Sequence, residues 1–350
     1  MKAWQWLAPK TLGLVDLPRP VPQKHEALIR VEAVGVCGSD IHYFLDGAIG
    51  ENRLTSPVVL GHEYAGIVEE VGADGDQALV GRRVAVEPGI PCRRCEWCVK
   101  GRYNLCTSLF FPGGPGSDGA VCEYIAVDHE FCFPVPDSIS AGTAAMVEPA
   151  AVAVHTAALA KIRPGDTAAV FGLGVIGLLT ARMLQICGVA RVFCVDVLPY
   201  RVAAAERYGL NEVFCSQPGS LKEGGASALD WIREKTEGRC CDVTFDCTNS
   251  AEGMGLACGA ARRGGRAVLT GISGNEMDPL PVSIARRREL CLQWCRRFVH
   301  NYPVTIEYIL SGALDVDSLI THVFSFEEAQ QAFALTSAYG DEVLKASIEW

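Results

Sequence analysis

The sequence predicts a mixed α/β protein of two domains, one mostly β and one built on a doubly wound parallel sheet. The chain has 350 residues, which is long for a single hydrophobic core. Its first 150 residues contain short β-like runs broken by Gly and Pro. After residue 166, strand-like and helix-like segments alternate, which is typical of a parallel sheet with crossover helices.

The β-like runs of the first part are EALIRVEAVGVCG, YAGIVEEVG, RRVAVEPG and AVCEYIAVDHE. AAMVEPAAVAVHTAALAKI then predicts a helix, with Pro149 near its start. Strand, Gly-rich turn, helix and strand follow in AAVFGLGVIGLLTARMLQICGVARVFCVDV, and more strands are predicted at CDVTFDCT and GGRAVLTGIS. From about Cys295 the pattern is mixed again, with helices at YPVTIEYILSG and EEAQQAFALTS and a strand at THVFSF.

Composition argues against several classes of function. The formal net charge of -10 disfavours nucleic acid, and the short basic run near Arg286 fits a solvated helix face. We find no long uninterrupted apolar stretch and no signal peptide. Many of the 16 cysteines sit singly in apolar runs, as Cys132 and Cys194 do, which is typical of a reducing compartment. We therefore expect a cytoplasmic protein that binds neither nucleic acid nor membranes.

A dinucleotide-binding pattern follows the first strand of the second domain. Gly172, Gly174 and Gly177 form G-x-G-x-x-G between the strand DTAAVFG and the helix VIGLLTARMLQICG. These glycines allow a tight turn, close approach of the backbone to a pyrophosphate, and close packing of helix on strand. The free N–H groups of the helix N-terminus then face the phosphates.

Asp196 ends the second strand, 24 residues after Gly172. A carboxylate there accepts hydrogen bonds from the adenosine ribose hydroxyls and repels a 2′-phosphate. Arg201 leaves the alternative cofactor NADP open, because an arginine is able to bind that phosphate. We predict NAD, with Arg201 stacked over the adenine or paired nearby.

A metal site is predicted by Cys37 in VGVCGSDIHYF, His62 and Glu63 in LGHEYAG, and Glu148 in VEPAAVAVHT. Thiolate, imidazole and carboxylate together suit zinc, and a catalytic zinc keeps one position open. Neighbours in a regular strand point to opposite faces, so His62 and Glu63 reach one ion only where the backbone leaves extended geometry. Gly61 and Gly66 are expected to permit this.

These motifs resemble those of a known family. GHEYAGIVEEVG, VCGSDIHYF and the Gly-rich turn resemble the zinc-containing medium-chain dehydrogenase/reductase superfamily. CGSDIHYFLDGAIG, FFPGGPGSDGAVCEY and VEPAAVAVHT resemble its sorbitol (polyol or xylitol) dehydrogenase branch, and the likeness covers essentially the whole chain. It implies a GroES-like catalytic domain of residues 1–150 completed by 292–350, a Rossmann NAD-binding domain of residues 151–291, and a homotetramer or homodimer.

The resemblance also assigns roles to single residues. Cys37, His62 and Glu63 match ligands of the catalytic zinc, and Glu148 lies close to the metal, either as a direct ligand or through its water. The implied substrate contacts are Tyr43, Phe111, Glu148, Arg297 and Phe298. The implied cofactor contacts are Gly172, Gly174, Val175, Ile176, Gly177, Asp196, Arg201, Thr270, Gly271, Ile272, Arg296 and Arg297.

The substrate contacts depart from the usual pattern in one place. Relatives commonly carry Phe-Arg-Tyr where this chain carries Arg296-Arg297-Phe298. The loss of a tyrosine hydroxyl and the gain of an arginine leave the exact polyol open and favour a substrate with an acidic group.

Cys92, Cys95, Cys98 and Cys106 lie in PCRRCEWCVKGRYNLC. Such a cluster suits a metal, disulfides or a redox pair. The resemblance matches its spacing to a structural zinc lobe, where four thiolates close the tetrahedron, so that metal orders a loop without catalysing a reaction.

We therefore expect zinc-assisted oxidation of a secondary alcohol. Zinc binds a hydroxyl of the polyol and lowers its pKa, and the alkoxide transfers hydride to the nicotinamide to give a ketone. Ser39 and His42 are candidates for carrying the proton to solvent, and Glu148 is a candidate for holding the zinc water.

Several alternatives stay open. An L-threonine 3-dehydrogenase-like or a sugar-acid (idonate-type) activity is closest. A zinc-ribbon module for nucleic acid is disfavoured by the acidic charge. A metal-free quinone reductase or structural nucleotide-binding protein would lack the cysteine and glutamate ligands.

Overall fold

The computed structural model describes residues 1–216 and 227–350. Contacts within it divide the chain into two compact units. The first unit contains Met1–Pro149, Val299–Leu310 and Asp315–Trp350, and the second contains Ala150–Phe298 and Ser311–Leu314.

The elements are numbered in chain order. The strands are β1 (Lys2–Ala8), β2 (Thr11–Asp16), β3 (Glu26–Gly35), β4 (Ala48–Ile49), β5 (Asn52–Arg53), β6 (Val58–Val59), β7 (Glu63–Val71), β8 (Arg83–Val86), β9 (Tyr124–Asp128), β10 (Cys132–Pro134), β11 (Thr167–Phe171), β12 (Arg191–Asp196), β13 (Glu212–Cys215), β14 (Cys241–Asp246), β15 (Ala261–Leu269), β16 (Cys291–Trp294), β17 (Ile320–Ser325) and β18 (Lys345–Glu349). The helices are α1 (Gly38–Asp46), α2 (Glu96–Val99), α3 (Ala141–Ala145), α4 (Val147–Ala160), α5 (Val175–Ile186), α6 (Pro199–Arg207), α7 (Ala228–Lys235), α8 (Gly253–Ala260), α9 (Val282–Arg288), α10 (Tyr302–Leu310) and α11 (Ala329–Ser337).

The main sheet of the first unit joins strands from both ends of the chain. Its order is β10-β8-β7-β3-β18-β17, with β9 also paired to β3. The pairs are antiparallel except β17 with β18. Apolar residues of β3 and β7 such as Ile29 and Val68 are fully buried, and the rings of Phe44 and Phe333 lie 5.5 Å apart between α1 and α11. β18, near the C-terminal end of the chain, therefore completes the sheet of the mostly β domain.

The second unit is built on a parallel sheet of order β13-β12-β11-β14-β15-β16. Its central strands β11, β12 and β14 are buried along nearly their whole length, as expected when helices cover both faces of a sheet. The order reverses between β11 and β14, where doubly wound folds bind ligands at the carboxyl ends of the strands. The predicted fold class is confirmed.

One helical stretch in the described part of the chain has the length and hydropathy of a membrane span. It covers Ala141–Ala160, has a mean hydropathy of 1.3, and is 72% buried inside the protein. It breaks at Met146 into α3 and α4, where the sequence predicted one helix. Burial to this extent is typical of a core helix.

Candidate metal and nucleotide sites

Cys37, His62 and Glu63 come together in the first unit. One ligand atom from each lies within 4.8 Å of the others, and both His62 and Glu63 are buried. Cys37 immediately precedes α1, so its sulfur lies at the N-terminus of a helix. Among the described residues, Glu148 is outside this set of mutually close ligand atoms.

The backbone leaves extended geometry just before the adjacent pair. Gly61 has φ +94°, and β7 begins only at Glu63, so His62 lies outside the regular strand. Gly66 has a different role from the predicted one. A Cβ there would lie 2.1 Å from the carbonyl oxygen of Arg30, so this glycine permits close pairing of β7 with β3.

Asp40 fixes two members of this set, although the sequence analysis did not identify it. Its Oδ1 lies 3.3 Å from Nδ1 of His62, and its Oδ2 accepts a hydrogen bond of 3.2 Å from the backbone N–H of Cys37. A carboxylate on Nδ1 leaves Nε2 of the imidazole for a metal. The C-x-x-D spacing at a helix start is typical of a capping interaction and is the one local signal from which Asp40 could have been predicted.

Lys345 fixes the third member. Its Nζ lies 2.6 Å from Oε2 of Glu63 and donates a hydrogen bond of 3.2 Å to the carbonyl oxygen of Val36. Burial lowers the pKa of Lys345, but the Glu63 carboxylate and other nearby anions raise it above its usual value. Glu148 is one of those anions. No local sequence pattern marks Lys345, which is 282 positions from Glu63.

Electrostatics in this cluster favour a cation. Burial and the Glu63 carboxylate raise the pKa of the Cys37 thiol. Burial lowers the pKa of His62, but Asp40 and Cys37 raise it well above its usual value. The thiolate is therefore unfavourable until a positive charge arrives, and a metal ion supplies that charge.

Other predicted residues line the same region. Ser39 Oγ donates a hydrogen bond of 3.3 Å to Cys37 Sγ, and the rings of Phe111 and His62 lie 5.0 Å apart. Tyr43 and His42 lie on α1, and a Cβ on Gly114 would be 3.9 Å from the Tyr43 hydroxyl. Glu148 is 5% exposed at the second position of α4.

The four cysteines of the lobe around α2 also converge. One ligand atom each from Cys92, Cys95, Cys98 and Cys106 lies within 4.8 Å of the others. The Sγ atoms of Cys95 and Cys98 are 3.4 Å apart, which is too far for a disulfide. All 16 cysteines, which lie in the described residues, are free. Four sulfurs suit a closed tetrahedral zinc site, and the Cys-His-Glu set suits one with an open position.

Backbone groups prepare this lobe for a metal. Hydrogen bonds from the backbone of Cys98 and Thr107 lower the pKa of Cys95 to about 6. Burial and the neighbouring sulfurs raise the pKa of Cys98 to about 12. Full deprotonation of the cluster therefore requires a bound cation.

The glycine pattern forms a tight turn between β11 and α5. Gly172 has φ +87°, and a Cβ on Gly177 would lie 1.7 Å from the carbonyl oxygen of Gly172. Gly174 caps α5, whose first residues are Val175 and Ile176. The turn leaves the helix N-terminus available to an anion.

Asp196 holds this turn from the end of β12. Its Oδ2 accepts a hydrogen bond of 2.6 Å from the backbone N–H of Leu173, and its Oδ1 accepts one of 2.9 Å from Leu198. Arg201 Nη1 lies 3.7 Å from Oδ2 of Asp196. Arg201 thus pairs with Asp196 beside the turn, close to Gly174.

Thr270 and Gly271 follow β15 on the same edge of the sheet. Their backbone N–H groups both donate to the carbonyl oxygen of Asp246 at the end of β14.

Ile272 is 46% exposed, and Phe298 is 3% exposed. Arg297 has φ +51°, a conformation that non-glycine residues rarely adopt and that clusters at functional sites. Arg296 beside it is exposed.

These two sites define a dehydrogenase with a metal-binding catalytic domain and a nucleotide-binding domain. The profile described as "Alcohol dehydrogenase GroES-like domain" matches residues 23–137, and the one described as "Zinc-binding dehydrogenase" matches residues 175–311. The chain belongs to the zinc-dependent medium-chain dehydrogenase family, in its sorbitol dehydrogenase-like branch, and is an oxidoreductase.

Individual relatives cover nearly the whole chain. It is 36% identical to the sorbitol dehydrogenase of Bacillus subtilis, over 99% of this chain and 97% of the relative. It is 35% identical to the L-idonate 5-dehydrogenase of Vitis vinifera, over 99% of this chain and 93% of the relative.

Solved structures are similar throughout. The alcohol dehydrogenase RspB of Escherichia coli CFT073, complexed with NADH, has a TM-score of 0.90 and 26% identity, over 100% of this chain and 99% of that one. A zinc-binding dehydrogenase of Sinorhizobium meliloti, bound to NADP, has a TM-score of 0.85 and 26% identity over the same shares.

Proposed function

We propose that this protein is a zinc-dependent, NAD-linked polyol dehydrogenase that oxidises a secondary alcohol of a sugar-derived substrate to a ketone. The observation that carries the proposal is the set of half-buried Cys37 and buried His62 and Glu63, with ligand atoms within 4.8 Å of one another. Relatedness to sorbitol dehydrogenase at 36% identity supports the substrate class.

The protein's own residues hold the reactants. Cys37, His62 and Glu63 would hold the catalytic zinc, and the four-cysteine lobe would hold a structural one. When bound, zinc supplies Lewis acidity toward a hydroxyl and nicotinamide supplies a two-electron acceptor. Tyr43, Phe111, Arg297 and Phe298 are proposed to contact the polyol.

Proton movement is assigned to the residues around Cys37. Ser39 Oγ–H donates a hydrogen bond of 3.3 Å to Cys37 Sγ, which leaves the lone pairs of its oxygen to accept from a substrate hydroxyl, and Ser39 would release its own proton as it takes that one. His42, on the same helix, is proposed to pass that proton to solvent. Glu148 is proposed to orient a water molecule close to the metal ligands.

The nucleotide is proposed to bind at the carboxyl edge of the parallel sheet. Phosphates would lie against the Gly172–Gly177 turn, and Asp196 would accept from the ribose hydroxyls. Val175, Ile176, Thr270, Gly271, Ile272, Arg201, Arg296 and Arg297 are its other proposed contacts. The acidic Asp196 supports NAD over NADP, because it repels a 2′-phosphate.

A sugar-acid dehydrogenase is the second candidate function. The Arg296-Arg297 pair supplies positive charge that a neutral polyol does not need. Relatedness to an L-idonate 5-dehydrogenase at 35% identity supports the same idea.

The protein is proposed to be a cytoplasmic homodimer or homotetramer. β16 lies at an edge of the parallel sheet, and it and the segment that precedes it in the sequence carry exposed apolar side chains. Trp294 is 57% exposed, Met277 is 87% exposed and Val282 is 61% exposed. An exposed tryptophan on a strand that pairs on one side only, among the described residues, supports a protein partner at this edge.

A substrate screen with metal analysis tests the proposal. Sorbitol, xylitol, idonate and threonine would each be assayed with NAD and with NADP by the absorbance of the reduced cofactor. We expect a polyol or sugar acid with NAD to give the highest kcat/KM, and two zinc ions per chain, one for each ligand set. The variant C37A should retain one zinc and show no turnover, whereas C187A, at an exposed cysteine, should match the parent. Full activity of C37A would contradict the proposal.

A further inference from the structure

We propose that Lys345 is a positioning residue that holds Oε2 of Glu63 and so limits Glu63 to a single metal–oxygen contact through Oε1. This inference rests on the proposed metal site. Lys345 is proposed to touch neither substrate nor cofactor. It acts through Glu63 by keeping one coordination position open for substrate.

The Lys345 ammonium donates hydrogen bonds to two acceptors. Nζ lies 2.6 Å from Glu63 Oε2 and 3.2 Å from the carbonyl oxygen of Val36. The side chains of Lys345 and Glu63 are 5% and 2% exposed, so water does not compete for the pair. A buried pair of this kind keeps a fixed orientation.

The sheet fixes where the ammonium lies. β18 pairs with β3 so that Ser347 faces Gly35, and the N–H of Val36 donates to the carbonyl oxygen of Ala346 over 2.9 Å. Lys345, at the start of β18, therefore reaches the backbone immediately before Cys37. One ammonium is thus tied to the segments that carry two of the three proposed ligands.

Gly35 shows how closely Oε2 is enclosed. A Cβ at that position would be 2.4 Å from Oε2 of Glu63. Oε2 is therefore packed against the backbone of β3 on one side and bound to Lys345 on another. The metal contact is therefore assigned to Oε1, the oxygen that Lys345 does not hold.

Charge gives this arrangement a chemical consequence. The Cys37 thiolate and Glu63 carboxylate together would neutralise a divalent ion. The Lys345 ammonium adds one positive charge to the cluster, and its hydrogen bond withdraws electron density from the Glu63 carboxylate. The bound ion then keeps more of its Lewis acidity toward a hydroxyl oxygen.

The test is Lys345→Met, which removes the charge at similar volume. Without the ammonium, Oε2 is available to the ion, so Glu63 should bind with both oxygens. With cobalt in the catalytic site, we expect the visible d–d bands to weaken, as they do when a four-coordinate ion gains a ligand. With zinc, we expect release from this site to a chelator to slow about tenfold, because a second oxygen binds the ion and a neighbouring positive charge no longer repels it.

Three controls accompany it. Lys345→Arg keeps the charge and should retain most of the parent cobalt spectrum. Lys24→Met changes an exposed lysine of the same unit and should match the parent. The four-cysteine site in each variant should release its metal at the parent rate. Lys345→Gln is a second neutral variant, for use if Lys345→Met folds poorly. It keeps a hydrogen-bond donor for the carbonyl oxygen of Val36, and we expect the same cobalt spectrum and zinc release as for Lys345→Met.

Unchanged cobalt bands or equal or faster zinc release in both neutral variants would overturn the role of Lys345. That result is separable from failure of the proposed function. A parent protein that binds metal only in the four-cysteine lobe would contradict the catalytic site itself. A parent with two metals and insensitive Lys345 variants would leave the proposed function intact.

Discussion

Glu87 is a buried carboxyl group in the first unit, just after β8. It is 2% exposed, and the Tyr103 hydroxyl donates a hydrogen bond of 2.7 Å to its Oε1. The backbone N–H of His300 in turn donates to the Tyr103 oxygen over 3.0 Å. Burial raises the pKa of Glu87 to about 7, although the bond from Tyr103 opposes this shift. No salt bridge to Glu87 is found among the described residues.

This raised pKa predicts a pH-dependent stability. The folded protein binds the Glu87 proton more tightly than the unfolded chain does. Its contribution to the free energy of unfolding is therefore complete below pH 4.5 and is lost as the pH rises to about 7. Glu87→Gln should remove this loss, which amounts to about 3 kcal/mol. Urea unfolding across this pH range, followed by tryptophan fluorescence, measures the difference.

The matched control is Glu51→Gln, at an exposed carboxylate of the same unit. It should leave the pH dependence of the parent unchanged. A Glu87→Gln protein that loses stability with pH as steeply as the parent would show that another group titrates.

At the residue scale, local spacing predicted the cysteines but not the buried charges. The spacing of Cys92 to Cys106 is compact enough to predict convergence directly. Glu87 lies in the predicted strand RRVAVEPG, yet its burial depends on Tyr103 and His300, which are distant in the sequence. Carboxylates are usually exposed, so the sequence offers no reason to expect this one inside.

The turn before α5 depends on one short contact. The Cα of Gly177 is so close to the carbonyl oxygen of Gly172 that a Cβ would lie 1.7 Å from that atom. No rotation of a side chain relieves such a clash, because both partners belong to the backbone.

Gly177→Ala should therefore shift the turn away from α5. We expect NADH binding, measured by fluorescence titration, to weaken at least about tenfold, and the unfolding free energy to fall by about 1–3 kcal/mol. Gly89→Ala is the control, since its Cβ would approach no atom closer than 3.8 Å. Parent affinity in Gly177→Ala would mean that the turn does not hold the nucleotide.

At the element scale, the parallel sheet was predictable because each strand–turn–helix unit is continuous in sequence. β11, the turn and α5 carry their own pattern of apolar residues and glycines. β18 was not predicted as a strand of the first unit, because its partner β3 lies more than 300 positions away. Pairing over that distance has no local signature, and only the resemblance implied that the end of the chain completes the first domain.

The whole molecule presents an exposed edge at β16. Trp294→Glu places a charge on that edge and should disfavour strand pairing between copies. Light scattering coupled to size-exclusion chromatography should give a parent mass of two or four chains and a smaller mass for the variant. Val21→Glu, at an 84% exposed residue of a loop, should keep the parent mass. A monomeric parent, or a Trp294→Glu protein of unchanged mass, would contradict the proposed assembly at β16.

The ion pair between Glu63 and Lys345 also constrains biosynthesis. Glu63 is translated 282 residues before Lys345, and β3 is translated more than 300 residues before its partner β18. At about 5–20 residues per second the delay is tens of seconds. During that interval the ribosome is producing the nucleotide-binding domain, while Cys37 and His62 are already outside and able to capture the wrong ion. The complete ligand set with its Lys345 partner therefore exists only once translation has ended.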